Sequence, residues 1–358
     1  MLGRPEIVGY LIDRGLLSPS HVVGDDLAVL DFSRRHVNFA VTTTGGPRYF
    51  LKQARDPAGR AALAREAAVY RHFQDSDDLP GILARYHSFD VELGVLLLEF
   101  GRENTTLRGA CLDRRRPSVT GAATAGRGLA RFHQLTGSAD APLPPPCPPW
   151  VVRIHRPGSR ILQEFSATNI ELIRIIQAHP RFGGLLDELA DGYEETAFMH
   201  GDVRWDNCLL MVSERGRSTR MRLVDLELAG KGDAAWDVGC FFGEYLGSWV
   251  LSLPVTAGAM DSALIGTAAH PLDAMQPAIR AFWRSYEKEY ERGTGRKIEP
   301  AFLRRAAAFA GGRLIQMAFE HTQEAPQMTS QAICLLQLSL NVMERPAEAA
   351  GHLLGIAA

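Results

Sequence analysis

The chain has 358 residues, 46% of them apolar, more than one core usually serves, so one large or two unequal lobes are expected. A formal net charge of −2 gives no electrostatic drive toward nucleic acid or an anionic membrane, and no stretch approaches the ~20 apolar residues of a membrane span. Five scattered cysteines (Cys111, Cys147, Cys208, Cys240, Cys334) without a Cys-x-x-Cys pair argue against a disulfide framework or zinc knuckle. With Glu6 and Asp13 interrupting any signal-like run, a cytoplasmic setting is expected.

In chain order, residues 5–15 read as a short amphipathic helix with Ile7, Val8, Leu11 and Ile12 on one face. Residues 27–52 carry β-rich runs (LAVLDF, NFAVTTT, RYFLKQA) punctuated by Gly45-Gly46-Pro47, an antiparallel meander. GRAALAREAAVYRHF (59–73) places Leu63, Ala67, Tyr70 and Phe73 on one helical face. LARYHSFD (83–90) and VLLLEF (95–100) predict two more strands. After Gly101 the character changes. Helices are predicted over 124–137, 159–178, 182–196, 274–292, 300–323 and 329–344, with a stiff proline-rich loop at 139–149. Over 197–230 short apolar runs alternate with turns. Gly311-Gly312, inside a helical stretch, reads as a point of close packing. The expectation is an α+β chain: a small β-rich lobe over 1–100 and a large, mostly helical lobe over 101–358.

The densest chemistry lies in FMHGDVRWDNCLLM (198–211) and RLVDLELAGKGDAAWDVG (222–239). Asp202 and Asn207 stand five residues apart, and Asp225 ends an apolar run further on. CLLMV and MRLVD suit a hairpin that would bring Asn207 and Asp225 to neighbouring ends. Phosphoryl transfer needs such a set: hard oxygen ligands for Mg²⁺, here Asn207 and Asp225, and a separate carboxylate, Asp202, to take or orient the proton of the attacking hydroxyl. Lys52, at the end of RYFLKQA, is placed to hold phosphates, and Glu66 on the next helix to pair with it.

This set resembles the aminoglycoside phosphotransferase and choline kinase superfamily, which is related to protein kinases. The family's His-Gly-Asp-x-x-x-x-Asn loop matches His200-Gly201-Asp202 and Asn207, and its Asp-x-Glu/Asp segment matches Asp225-Leu226-Glu227. The family aspartate that braces the catalytic loop matches Asp237 in Trp236-Asp237-Val238-Gly239. The likeness covers roughly residues 25–245 and implies a protein-kinase-like bilobal fold, ATP and Mg²⁺ as cofactors, and Glu227 as a further metal ligand. It also implies a structural role for His200, and a linker, LLLEFG (96–101), whose backbone at Glu99 and Phe100 holds adenine. The turn matching the glycine-rich loop, FSRRHVNF (32–39), contains no glycine; Ser33, Arg34 and Asn38 are its candidates for phosphate contact. No Gly-x-x-x-x-Gly-Lys-Ser/Thr is present, which argues against a P-loop enzyme.

The acceptor site is expected in 240–358 and the 139–160 insertion. Residues 240–358 hold 11 acidic and 10 basic residues, without the acidic excess that a polycationic antibiotic would favour. Arg204, two residues after Asp202, resembles the protein-kinase lysine that contacts the transferring phosphate. The tail, GGRLIQMAFEHTQ and LLQLSLNVMERPAEAAGHLLGI, looks similar to kinase-like subunits of class V lanthipeptide and thioamide-peptide biosynthesis. That likeness implies a Ser or Thr of a ribosomal precursor peptide as acceptor and a lyase as partner protein. A small-molecule hydroxyl (antibiotic, amino alcohol or sugar) is the alternative, and a pseudokinase-like binding subunit a third reading. Leu226–Trp236 contains no Ser, Thr or Tyr, so switching by phosphorylation within that segment is excluded.

Overall fold

The computed structural model describes residues 2–23, 27–33, 36–73, 81–103, 105–112, 117–136, 148–212, 218–254 and 266–356. Arg34, Cys147 and residues 139–147 of the proline-rich run lie outside them. The described chain divides into two compact units. The first comprises residues up to Glu103 together with Arg222–Ala229, and the second the remainder.

In the first unit, β1 (Leu27–Asp31), β2 (Val37–Thr43), β3 (Arg48–Gln53), β4 (Tyr86–Asp90) and β5 (Val95–Glu99) form an antiparallel sheet in the order β1-β2-β3-β5-β4. The strand period of two sorts the side chains. Phe39, Val41, Tyr49, Leu51, Val95 and Leu97 pack with Ile7, Tyr10 and Leu11 of the helix Arg4–Asp13. Val8, expected on that helix's inner face, is only partly buried, and Tyr10 takes the place. The alternate positions of β3, Phe50 and Lys52, belong to the sheet's other face, with Asn38 opposite Lys52 in register. The helix Pro57–Phe73 starts as its sequence dictates: proline at its first position, and the Asp56 carboxylate accepting the Gly59 N–H at 2.7 Å.

Division at residue 100 would assign Asp225 and Glu227 to the later lobe. Instead Arg222–Ala229 groups with the first unit, because Asp225 and Leu226 bond to side chains of β3 and the helix Pro57–Phe73.

The second unit is mostly helical. The helix expected over 159–178 is two, Ser159–Glu164 and Ala167–Ala178: Phe165 is extended, and Ser166 caps the second by accepting the Asn169 N–H at 3.2 Å. The helix expected over 182–196 runs Pro180–Asp191, with proline at its start and Gly192 past its end. The helix Ala234–Leu251 has no counterpart among the predicted elements. It is buried nearly all round, so it lacks the polar face that produces a helical period. Four further helices match expectation within a few residues: Val119–Thr136, Leu272–Thr294, Pro300–Thr322 and Ser330–Glu344.

Ala234–Leu251 lies against Pro300–Thr322 through glycines. A Cβ on Gly239 would sit 2.6 Å from the Ala306 carbonyl oxygen, and one on Gly243 2.6 Å from Arg313 Cβ. Gly311 does the same for the next helix, where a Cβ would lie 2.6 Å from Met343 Cγ. Gly239→Ala meets backbone that cannot rotate away. It is expected to lower stability by about 1–3 kcal/mol, read as a shift in the urea midpoint.

Two small sheets flank the loop His200–Asn207: Ala197–Met199 pairs antiparallel with Gly230–Gly232, and Cys208–Val212 lies between Thr105–Thr106 and Ser218–Leu223. Cys111, Cys208, Cys240 and Cys334 are free and buried. Among the described residues no helix is long and apolar enough to cross a membrane.

Candidate active site

In the first unit the site is built around Lys52. Its ammonium donates to both Glu66 oxygens, at 2.8 and 2.9 Å, and to Asp225 Oδ1 at 2.6 Å. Glu66 is fully buried and also accepts the Leu226 N–H at 3.2 Å, so one carboxylate fixes both the strand lysine and the segment that follows Asp225. Burial alone would lower the Lys52 pKa. The carboxylates of Glu66 and Asp225 outweigh it and raise the pKa, so the ammonium stays charged. Asp225 has φ of +68°, the one positive value outside glycine among the described residues. Such local strain persists only where the surroundings over-determine it, here through Lys52 and the Glu66–Leu226 bond.

The remaining first-unit candidates are placed as follows. Ser33 closes the turn after β1: its Oγ accepts the Asn38 N–H at 3.1 Å, and its own N–H donates to Asp31 Oδ1 at 2.8 Å. The Asn38 side-chain oxygen is buried without a hydrogen-bond partner, beside Lys52 in register. Glu99 and Phe100 spend their backbone N–H groups on the carbonyls of Arg85 (2.8 Å) and Arg48 (2.9 Å). Glu227 Oε2 lies 3.6 Å from Nε2 of His36.

Sequence reasoning missed three features of this unit. His36 is buried at the start of β2 with neither ring nitrogen hydrogen-bonded, and a Cβ on Gly59 would come within 3.1 Å of its ring. Phe50 stacks with Phe100 at 6.0 Å, and Phe32, half exposed, lies 6.3 Å from both. Stepping back two residues from Lys52 along the strand reaches Phe50, a signal available in the sequence. Nothing in FSRRHVNF singled out His36.

In the second unit the loop His200–Asn207 is held by Asp237. Its carboxylate accepts the His200 N–H at 2.7 Å and the Gly201 N–H at 2.9 Å. It also lies 3.0 Å from His133 Nε2, whose other nitrogen is 2.8 Å from the Tyr286 hydroxyl. A carboxylate can only accept, so His133 donates through Nε2. Gly201, at φ +83°, turns the chain in the left-handed region, and the Trp236 indole N–H caps its carbonyl at 3.0 Å. His200 Nδ1 accepts the Asp202 N–H at 3.3 Å.

Asp202 receives Arg204 Nε at Oδ1, 2.9 Å. Burial pushes its carboxyl above the usual aspartate range, opposed by the guanidinium groups of Arg204 and Arg313. Asn207 donates its amide nitrogen to the Asp202 carbonyl at 3.0 Å. A carbonyl cannot donate, so the NH₂ end of Asn207 faces Asp202 and the amide oxygen is left for another partner.

Beneath the loop lies an ion network that sequence reasoning did not foresee. Arg313, almost fully buried, gives two N–H groups to Glu244 (3.1 and 2.8 Å) and two to Glu320 (2.7 and 3.2 Å). Glu244 also accepts the Trp205 N–H at 3.3 Å, and Arg108 bonds Asp206 at 2.8 Å. Arg313 and Glu320 share the helix Pro300–Thr322, but Glu244, Arg108 and Asp206 come from three other segments, and no local spacing announces that pairing.

Residues 31–262 match the sequence model of APH, the phosphotransferase enzyme family. The chain belongs to this family. The phosphotransferase is also similar to solved structures along nearly its whole length. For the choline kinase LicA from Streptococcus pneumoniae the TM-score is 0.53 at 14% identity, over 94% of this chain and 99% of that one. For a choline/ethanolamine kinase family protein from Mesorhizobium loti it is 0.52 at 17%, over 97% and 98%. For the amicoumacin kinase hAmiN, in complex with AMP-PNP, Ca²⁺ and Ami, it is 0.53 at 12%, over 96% of each. At such identities the likeness establishes the fold, kinase-like and α+β, as expected from the motifs. No curated protein sequence matches the phosphotransferase.

Proposed function

We propose that the phosphotransferase moves the γ-phosphoryl group of ATP to the hydroxyl of a small-molecule acceptor, with Asp202 as the base. The observation that carries this is the state of Asp202. It is a partly buried carboxylate that accepts from Arg204 and Asn207, in a loop that Asp237 holds through two backbone N–H groups. The acceptor oxygen attacks the γ-phosphorus and its proton passes to Asp202. The bond from that phosphorus to the β,γ-bridging oxygen breaks, and ADP leaves with the bonding electrons. Arg204 supports charge on the transferring group.

In this reading the first unit serves the nucleotide and the second unit the acceptor. Lys52, braced by Glu66, holds phosphates. The Phe32, Phe50 and Phe100 rings offer the base an apolar face. Glu99 and Phe100 would reach it through carbonyl oxygens, since their N–H groups are spent. Ser33 and Asn38 are the candidates in the phosphate-side turn.

Mg²⁺ is the divalent ion proposed. The donors assigned to it, the Asp225 carboxylate and the Asn207 amide oxygen, are hard oxygens, with Glu227 a third candidate. Among the described residues no group of three or more His, Cys, Asp or Glu could hold a metal ion. When bound, the ion neutralises phosphate charge.

A cavity of about 500 Å³ in the second unit, lined by Arg108, Ser252, His270, Arg313 and Glu320 among others, has the size for a small acceptor. A second reading, the Ser or Thr of a precursor peptide with a lyase as downstream partner, is favoured by Arg204, which stands two residues after Asp202 as the protein-kinase lysine does in sequence.

Purified protein with Mg²⁺ and γ-labelled ATP, offered choline, kanamycin and serine peptides, is expected to transfer label to an acceptor hydroxyl. Nucleotide binding without turnover on any acceptor would favour the binding-subunit reading instead.

A further inference from the structure

Arg204 is held at two points. Its Nε meets Asp202 Oδ1 at 2.9 Å, and its Nη2 meets Glu320 Oε1 at 2.7 Å. A guanidinium is planar with its donors in a fixed fork, so two contacts at different nitrogens set both its position and its rotation. Glu320 is itself fixed. It lies near the end of the helix Pro300–Thr322, and two N–H groups of the buried Arg313 grip it at 2.7 and 3.2 Å. Arg313 in turn is anchored on Glu244, fully buried in the neighbouring helix.

The charges alternate along a chain: Asp202, Arg204, Glu320, Arg313, Glu244, Arg108, Asp206. Both ends lie in the catalytic loop, and Trp205 is tied to the middle through its N–H on Glu244. Glu244 takes Nε and Nη2 of Arg313, and the network extends through Nη1 to a carboxylate whose side chain is 39% exposed. What that extension adds is a second anchor for Arg204.

We infer that Glu320 is a positioning residue for phosphoryl transfer, acting through Arg204, whose guanidinium it turns so that Nε stays on the base and Nη1 is left for the transferring group. The inference rests on the phosphotransferase reading above, with Asp202 as base. Without Glu320, Arg204 keeps its charge and its bond to Asp202 but is free to rotate about that bond. Preorganised donors lose most of their catalytic value when they must be ordered at the moment of reaction.

A double-mutant cycle on the full-length protein tests this, with ADP release from Mg-ATP as the readout and water as the acceptor. Arg204→Gln is expected to lower kcat about 100-fold, in the range seen when one transition-state donor is removed. Glu320→Ala, which leaves no acceptor for Arg204 Nη2, is expected to lower kcat about tenfold, with KM for ATP unchanged within about twofold. The double variant should match Arg204→Gln alone, because Glu320 has nothing left to position. Independent effects that multiply to about 1,000-fold, or a Glu320→Ala enzyme with full kcat, would overturn the assignment. Glu320→Asp serves as the second variant: it keeps a charge for Arg313 but draws back from Arg204 by one methylene, and the same loss of kcat is expected. Asp202→Ala, run alongside, reports on the underlying reading; full ADP release by that variant would remove Asp202 as base whichever way the cycle falls.

Discussion

Replacing Asp202 with asparagine lowers kcat by about 10³, within the range general-base catalysis contributes, while the protein melts as the unmodified enzyme does. Asparagine keeps the shape of the side chain and an oxygen for Arg204 Nε, so the loop stays tied through Asp237, Trp236 and Asn207. What is lost is the ability to accept a proton. The pH profile separates this from a general disturbance. Burial raises the Asp202 pKa above the ordinary aspartate value of about 3.9. The base works only when ionised, so kcat/KM falls as pH drops through that raised value, and the acid limb stands at higher pH than an exposed aspartate would give. The asparagine variant should show no such limb. An unchanged limb in the variant would mean that another group carries it.

Lys52→Met has the second large effect, and it acts on stability and activity by separable routes. Glu66 is fully buried, and its remaining hydrogen bond is the Leu226 N–H at 3.2 Å. Removing the ammonium leaves a buried carboxylate without a counter-charge, a loss of about 3–5 kcal/mol by urea denaturation. Asp225 contributes less to that loss, because its side chain is 38% exposed and water can replace the lysine. Adding Glu66→Gln removes the orphaned charge, and most of the stability is expected to return. Phosphoryl transfer should stay lost in both variants, since neither has a cation to hold the phosphates. Recovery of activity in the double variant would show that Lys52 serves the fold alone.

The fold was legible wherever a period was present. Alternation along β2 and β3 and the apolar stripe of Pro57–Phe73 marked those elements. The helix Ala234–Leu251 was not legible, because a segment apolar on every side has no period to detect. The break at Phe165–Ser166 was missed because the apolar pattern continues through it, and the cap decides it locally. At the site, spacing alone marked Asp202 and Asn207. Asp225, Lys52 and Glu66 followed from the chemistry that phosphoryl transfer demands. His36, with no motif around it, became visible only as a buried ring beside Glu227.

By itself the sequence determined the reaction class and marked the candidate acids, amide and cation, because residue type and short-range spacing are properties of the chain. Tertiary structure decided which of them pair. Lys52 meets Asp225 across 173 residues, Arg204 meets Glu320 across 116, and His133 meets Asp237 across 104. Charged side chains select partners by distance and burial, and both are set only once helices and strands have packed.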